Sequence, residues 1–248
     1  MRAAPPCLST MLAVSLILFG GQPASAGDPP SAFSESSRMT KQKQVPFKRA
    51  WFAPGWNDPE RSSIVIAPVD TRLVKQSSWW RKAAEQEKTA ELGKDLQELA
   101  DFTREEFQKA FREDDARRFS VVDSPRAGSV IFELAIVDVE PNKKSLGAIG
   151  LAASLLAAPL GVAILAKEGA KGGVAIEGRL KDARTGEVIA LFADREKGKF
   201  APINVARATA FGEVQKSIRE WSEQWVKVAN AEPGEKVKDN KPFTLRPW

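Results

Sequence analysis

Apolar residues recur along this chain in two periods, and the elements follow from them. Ile64-Val65-Ile66-Ala67 is a short all-apolar run closed by Pro68, which predicts a buried strand. From about Ala84 to Arg112, Leu92, Leu96, Leu99, Phe107, Ala110 and Phe111 fall at helical spacing, with Thr103 filling the gap. Phe119 to Val122 predicts a second strand. Val130 to Val139 predicts a third, with Val130, Phe132, Leu134 and Ile136 on one face. Val174, Ile176, Gly178 and Leu180 alternate with Ala175, Glu177, Arg179 and Lys181, a period-two strand with one wet face. Asp182 to Glu187 is a turn containing Gly186, and Val188 to Ala193 returns as the fifth strand. The last helix runs from about Val205 to Ala229, with Phe211, Val214, Ile218, Trp221, Trp225 and Val228 in one stripe. Thr71 to Trp80 reads as a linker, and Phe47 to Pro59 as an extended segment pinned by Trp51, Phe52 and Trp56. This order predicts an α+β fold: a mixed sheet of about five strands with two long helices on one face.

One stretch fits neither period. Leu146 to Ala166 is apolar throughout and carries no charge, between the predicted third and fourth strands. As a helix it would be about 31 Å long, enough to cross a bilayer. A single crossing would put two strands of one domain on opposite sides of a membrane, so the segment must return. Ala158-Pro159-Leu160-Gly161 is the natural reversal, since proline disfavours helix before it. The expectation is a helical hairpin inserted between the strands. Gly150, Ser154 and Ala158 recur every fourth residue, a ridge that lets helices approach closely. The expected contact surface comprises Leu146, Gly150, Leu151, Ser154, Leu155, Ala158, Pro159, Gly161 and Ile164, with Lys143, Lys144, Lys167 and Lys171 flanking it. Packing of this hairpin on its own domain is the alternative.

The N-terminus has the layout of a secretory signal. Met1-Arg2 is basic, Met11 to Phe19 is apolar, and Ala24-Ser25-Ala26 is a small-x-small cleavage site. The expected division is a signal peptide at 1–26, a disordered lead at 27–46, one α+β domain at 47–230 carrying the insert 146–166, and a disordered tail at 231–248.

Charge and composition then narrow the chemistry. The net charge of +5 comes from basic residues interleaved with acids, so no nucleic-acid footprint is indicated. The sequence has no His and no Tyr, and its one cysteine is Cys7. Cys7 precedes the apolar run, whereas a lipoprotein cysteine would follow it directly. A chain cut after Ala26 has no disulfide, so its stability must come from its core. Without His or a mature thiol, the commonest general base, thiolate nucleophile and transition-metal ligands are missing, and no catalytic, cofactor or metal residue stands out. Glu113-Asp114-Asp115 reads as a solvated helix end, Asp194-Arg195 as a surface ion pair, and Trp221 with Trp225 as core. Gly147-Ala148-Ile149-Gly150 lacks the spacing of a phosphate-binding turn.

Several segments taken in order resemble a bacterial envelope family catalogued as domain of unknown function 3313. They are Trp51 with Pro54, the strand Ile64 to Val69, and Phe132-Glu133-Leu134 running to Val139-Glu140-Pro141. The hairpin Ile176 to Glu187, Ala193-Asp194-Arg195, and the helix pairing Phe211-Gly212 with Trp221 complete the set. The resemblance spans about Phe47 to Lys227. It implies a periplasmic or outer-membrane-associated protein, often a lipoprotein, with no established activity and no catalytic residues to carry over. This chain departs from it by lacking the lipoprotein cysteine. The expected function is that of a non-catalytic exported envelope protein, not lipidated. It would act through contact with another envelope protein, through self-association or at a membrane surface, with no nucleic acid, cofactor or small-molecule substrate. The alternatives are an oligomeric pore or secretion-accessory subunit, and an enzyme of unrecognised chemistry.

Overall fold

The computed structural model describes residues 31–139, 173–197, 211, 214–232 and 234–239. Its strands are β1 (Arg49–Phe52), β2 (Ser63–Ile66), β3 (Ser120–Val121), β4 (Ser129–Val139), β5 (Gly173–Asp182) and β6 (Val188–Lys197). Among the described residues the α-helices are α1 (Ser78–Glu85), α2 (Thr89–Arg112) and α3 (Gln215–Asn230), with 3-10 turns at Ser34–Arg38 and Val74–Gln76. The strands form one mixed sheet in the order β1-β6-β5-β4-β2-β3. β2 runs parallel to β3 and β4, and all other pairs are antiparallel. The α+β expectation holds in this coarser form.

Alternation along the strands decides which face carries the core. Val130, Phe132, Leu134 and Ile136 of β4 join Val174, Ile176 and Leu180 of β5 and Ala190 and Phe192 of β6 in one buried cluster. α2 and α3 cover that face. Phe107 of α2 meets Phe132 edge-on at 5.5 Å, and Trp225 of α3 stacks on Phe132 and Phe192 at 5.1 and 4.8 Å. The gap in the α2 stripe is filled by Thr103, which is buried and donates to Leu99 O at 2.7 Å, so its hydroxyl is satisfied by its own helix. Gly178 is required by its neighbour across the ladder. It pairs with Phe192, whose ring lies where a Cβ at 178 would stand.

The connections follow side-chain chemistry. Ser77 caps α1, its Oγ accepting from Trp80 N at 3.2 Å. The β5–β6 turn is closed by Asp182, whose Oδ1 accepts from the amides of Arg184 and Thr185, while Gly186 takes φ +74°.

The structure also corrects the expected elements. The sheet has six strands, because Arg49–Phe52 pairs with β6. Four residues before Pro54 are too few for alternation to announce a strand, although Ala50 and Phe52 do face the core and Arg49 and Trp51 do not. The expected linker Thr71 to Trp80 holds the 3-10 turn Val74–Gln76 and the start of α1. The first long helix starts at Thr89, because Glu87 adopts φ +56° and resets the helical phase after α1. The last helix is described over Gln215–Asn230, and its expected earlier part, residues 205–210, lies outside the described residues. The lead expected to be disordered is structured from Ser31 onward, with Ser36 and Met39 buried on the sheet face opposite the helices. The tail expected to be disordered is tied down as far as Asp239. Val237 N donates to Gln44 O at 2.8 Å, and Gln224 Nε2 donates to Asp239 Oδ1 at 2.7 Å.

Candidate functional site

The expected contact residues Leu146, Gly150, Leu151, Ser154, Leu155, Ala158, Pro159, Gly161 and Ile164 lie outside the described residues, as does the hairpin reading. The structure does describe the base from which they spring. Val139, the last residue of β4, is the register partner of Val174 in β5. Gly173, the first residue of β5, is the partner of Lys197 at the end of β6. Residues 140–172 therefore leave and re-enter the sheet on adjacent antiparallel strands, at points about 5 Å apart.

Polar contacts brace this end of the sheet. β4 shifts register between Ile136 and Asp138, and the bulge brings Asp138 to Arg195 of β6 at 2.7 Å. Lys48 Nζ donates to Arg195 O at 2.6 Å. Asp194 points the other way, into the core. Its Oδ2 accepts from Trp221 Nε1 at 2.7 Å, and its Oδ1 from Arg195 N at 2.9 Å. Burial pushes the Asp194 carboxyl above the ordinary carboxylate range, against those two hydrogen bonds and nearby Lys48. The expected Asp194-Arg195 surface pair is thus corrected. Successive strand residues face opposite sides of a sheet, so the two side chains serve different faces.

The sheet face that the described helices leave uncovered carries a second constellation, where the alternation of β5 predicts solvent. Residues 31–39 cross it as a strap. Glu177 of β5, only 1 % exposed, accepts on one oxygen from Ser31 Oγ, Ala32 N and Ser36 Oγ at 3.0, 2.9 and 3.0 Å. Arg179, two residues on, binds Glu35 of the strap at 2.8 Å and Glu133 of β4 at 2.7 Å. Its guanidinium also lies 4.4 Å from the Phe33 ring centroid. Lys181 completes the group with a 2.7 Å contact to Glu133. Beneath the strap, Ala135, Val137 and Ala175 are buried against Ala32, Phe33 and Leu73. Burial holds Glu35 back from ionising, but hydrogen bonds within the strap and the Arg179 guanidinium outweigh it and leave its carboxyl below the usual range. The available signal was the clustering of Glu133, Glu177 and Arg179 on one face of two neighbouring strands. What it lacked was any cue that residues 31–39 would cover them.

The remaining candidates prove structural. Trp221 and Trp225 are buried, as expected. Asp114 does more than end a helix. It accepts from Ala116 N, Arg118 N and Asn230 Nδ2, tying the α2 end to the α3 end. Among the described residues, no cluster of His, Cys, Asp or Glu could hold a metal ion. No described helix is long and apolar enough to cross a membrane. An open groove beside the α3 C-terminus is lined by Lys227, Asn230, Glu235, Lys236, Lys238 and Asp239, a mixture of charges selective for neither sign.

No curated protein matches the sequence. Two solved structures of the PelC dodecamer from Paraburkholderia phytofirmans, one of a point variant, are similar at a TM-score of 0.39 and 6 % identity. Each alignment covers 75 % of this chain and 97 % of the PelC chain. The match that spans residues 29–225 is to a sequence family, and the chain belongs to it: the family described as Protein of unknown function (DUF3313).

Proposed function

We propose that this protein is a non-catalytic, exported component of the cell envelope that works by contact, using the apolar insert 146–166 against an envelope protein, another copy of itself or a membrane surface. The observation that carries this reading is the pairing of Val139 with Val174. An uncharged run of that length, joined to a braced sheet through adjacent strands, can be offered to a partner without disturbing the core. The sequence supports export through the Met11–Phe19 apolar run and the Ala24-Ser25-Ala26 site, and the placement of Cys7 argues for an unlipidated periplasmic or outer-membrane-associated product.

Photo-crosslinking in cells from Leu151 and Leu155 tests the reading. Discrete adducts to a protein, to a second copy or to lipid are expected. Crosslinks confined to the protein's own domain would show that the insert is core, and the contact reading would fall.

A further inference from the structure

The strap over the face that the described helices leave uncovered is held differently from those helices. The described helices sit on the sheet through large apolar side chains: Phe107, Phe111, Trp221 and Trp225 are all essentially inaccessible. The strap brings Ala32 and Phe33, both only half-buried, and at its far end Met39, which is buried against Leu191 and Ala193. Its specific anchorage lies in charge. Three of its donors converge on one oxygen of Glu177, and its one carboxylate, Glu35, meets Arg179. Its 3-10 turn is closed by two bonds of its own, Ser36 N to Phe33 O and Met39 N to Ser36 O, both 3.1 Å. The strap can leave the sheet without losing those bonds, and its donors would be met by water.

We infer that residues 31–39 form a releasable strap, held down by the charges of Glu177 and Arg179, whose opening bares a sheet face that the described helices do not cover. The chain is fixed again just beyond it, where Thr40 and Ala50 exchange two main-chain hydrogen bonds of 3.1 and 2.9 Å. Thr40 is therefore the pivot, and the free arm is Ser31 to Met39. Opening exposes Ala135, Val137 and Ala175, the Met39 neighbours Leu191 and Ala193, and the Glu177 carboxylate, while leaving the β4–β5–β6 ladder and the helical core intact. The charged groups that face the strap site are Glu133 on β4, Glu177, Arg179 and Lys181 on β5, Arg49 on β1, and Asp138 and Arg195 at the insert end. Hydrogen bonds to an ionised group are the strong ones, so those from Ser31, Ala32 and Ser36 depend on the Glu177 carboxylate, and the Glu35–Arg179 contact depends on both charges. The attachment is therefore sensitive to any change that removes one charge, and this face can be switched without unfolding the domain.

Hydrogen exchange resolved by peptide on the full chain tests the inference. In the wild type, peptides covering 31–39 are expected to exchange at least tenfold faster than those covering β4, β5 and β6. Glu35→Gln, on the strap itself, should speed strap exchange about threefold to tenfold. Glu177→Gln should do so by more, with sheet exchange unchanged in both. Glu35 is part-exposed, so its replacement keeps the test valid even if the Glu177 variant folds poorly. Strap and sheet exchanging as one cooperative unit in the wild type would overturn the inference, as would Glu35→Gln leaving strap exchange unaltered.

Discussion

Trp221 Nε1 donates a 2.7 Å hydrogen bond to Asp194 Oδ2, joining the stripe of α3 to the core face of β6. The indole fills the core and its one polar atom is met by a carboxylate from the sheet. Removing the ring and removing the bond should therefore have separable costs. Trp221→Ala should lower stability by about 3–5 kcal/mol, the range for deleting a large buried aromatic. Trp221→Phe keeps most of the apolar volume but leaves Asp194 short of a donor, at a cost of about 1–3 kcal/mol. Urea midpoints of the two variants check the order. Equal losses would mean that the bond, not the packing, sets the contribution.

Asp194 also gives a pH dependence whose sign can be worked out. Its folded carboxyl titrates above the unfolded value because burial disfavours the charge. The folded state therefore holds this proton more tightly, and the stabilisation is fully present below the unfolded value. It is lost as pH rises through the raised folded value. Stability should decline across the window just above the ordinary carboxylate range, and Asp194→Asn should flatten that decline. Urea unfolding at a series of pH values would show it. An unchanged slope in the variant would assign the titration to another group.

Asp182 should behave in the opposite sense. Burial alone would raise its carboxyl, but the Thr185 amide, the Arg61 guanidinium and the Arg184 amide together hold it below the usual range. A depressed carboxyl contributes stability that is present above the unfolded value and lost as pH falls through the folded one. Asp182→Asn should cost about 1–2 kcal/mol near neutrality, and less than that once the wild-type carboxyl is protonated. The two urea midpoints converging on acidification is the expected signature.

Gly178 and Phe192 form a lock whose two halves can be tested together. A methyl group at 178 falls on the Phe192 ring, so Gly178→Ala should destabilise by about 1–3 kcal/mol through overpacking. Phe192→Leu creates room and should recover part of that loss in the double variant. A double-mutant cycle reads the coupling directly, and additive losses would show that the ring has another place to go.

The insert offers a prediction that leaves the fold alone. Ser154→Leu keeps the segment apolar but puts bulk on the ridge of Gly150, Ser154 and Ala158. It should weaken association of the full chain with its partner while leaving the thermal midpoint unchanged. Light scattering and vesicle flotation report the first quantity and calorimetry the second. A lowered midpoint with unaltered association would place Ser154 in the domain's own core.

The sequence by itself determined the parts that rest on local repetition. The α2 stripe from Leu92 to Phe111, the Ile218–Trp221–Trp225 stripe and the β5 alternation each repeat often enough to identify an element and its buried face. Asp182 and Gly186 likewise mark their turn through local chemistry. Tertiary structure decided whatever depends on what lies across a face. β1 is a strand because β6 offers it hydrogen bonds, and four residues hold too few repeats to announce that. Glu177 and Arg179 alternate with apolar residues as solvent-facing residues do, and a polar side chain reads the same in sequence whether water or a strap meets it. Asp194 and Arg195 are adjacent in the chain, yet the pleat sends one into the core and the other to the opposite face. Burial of such groups is set by a segment far away in sequence, which no local pattern records.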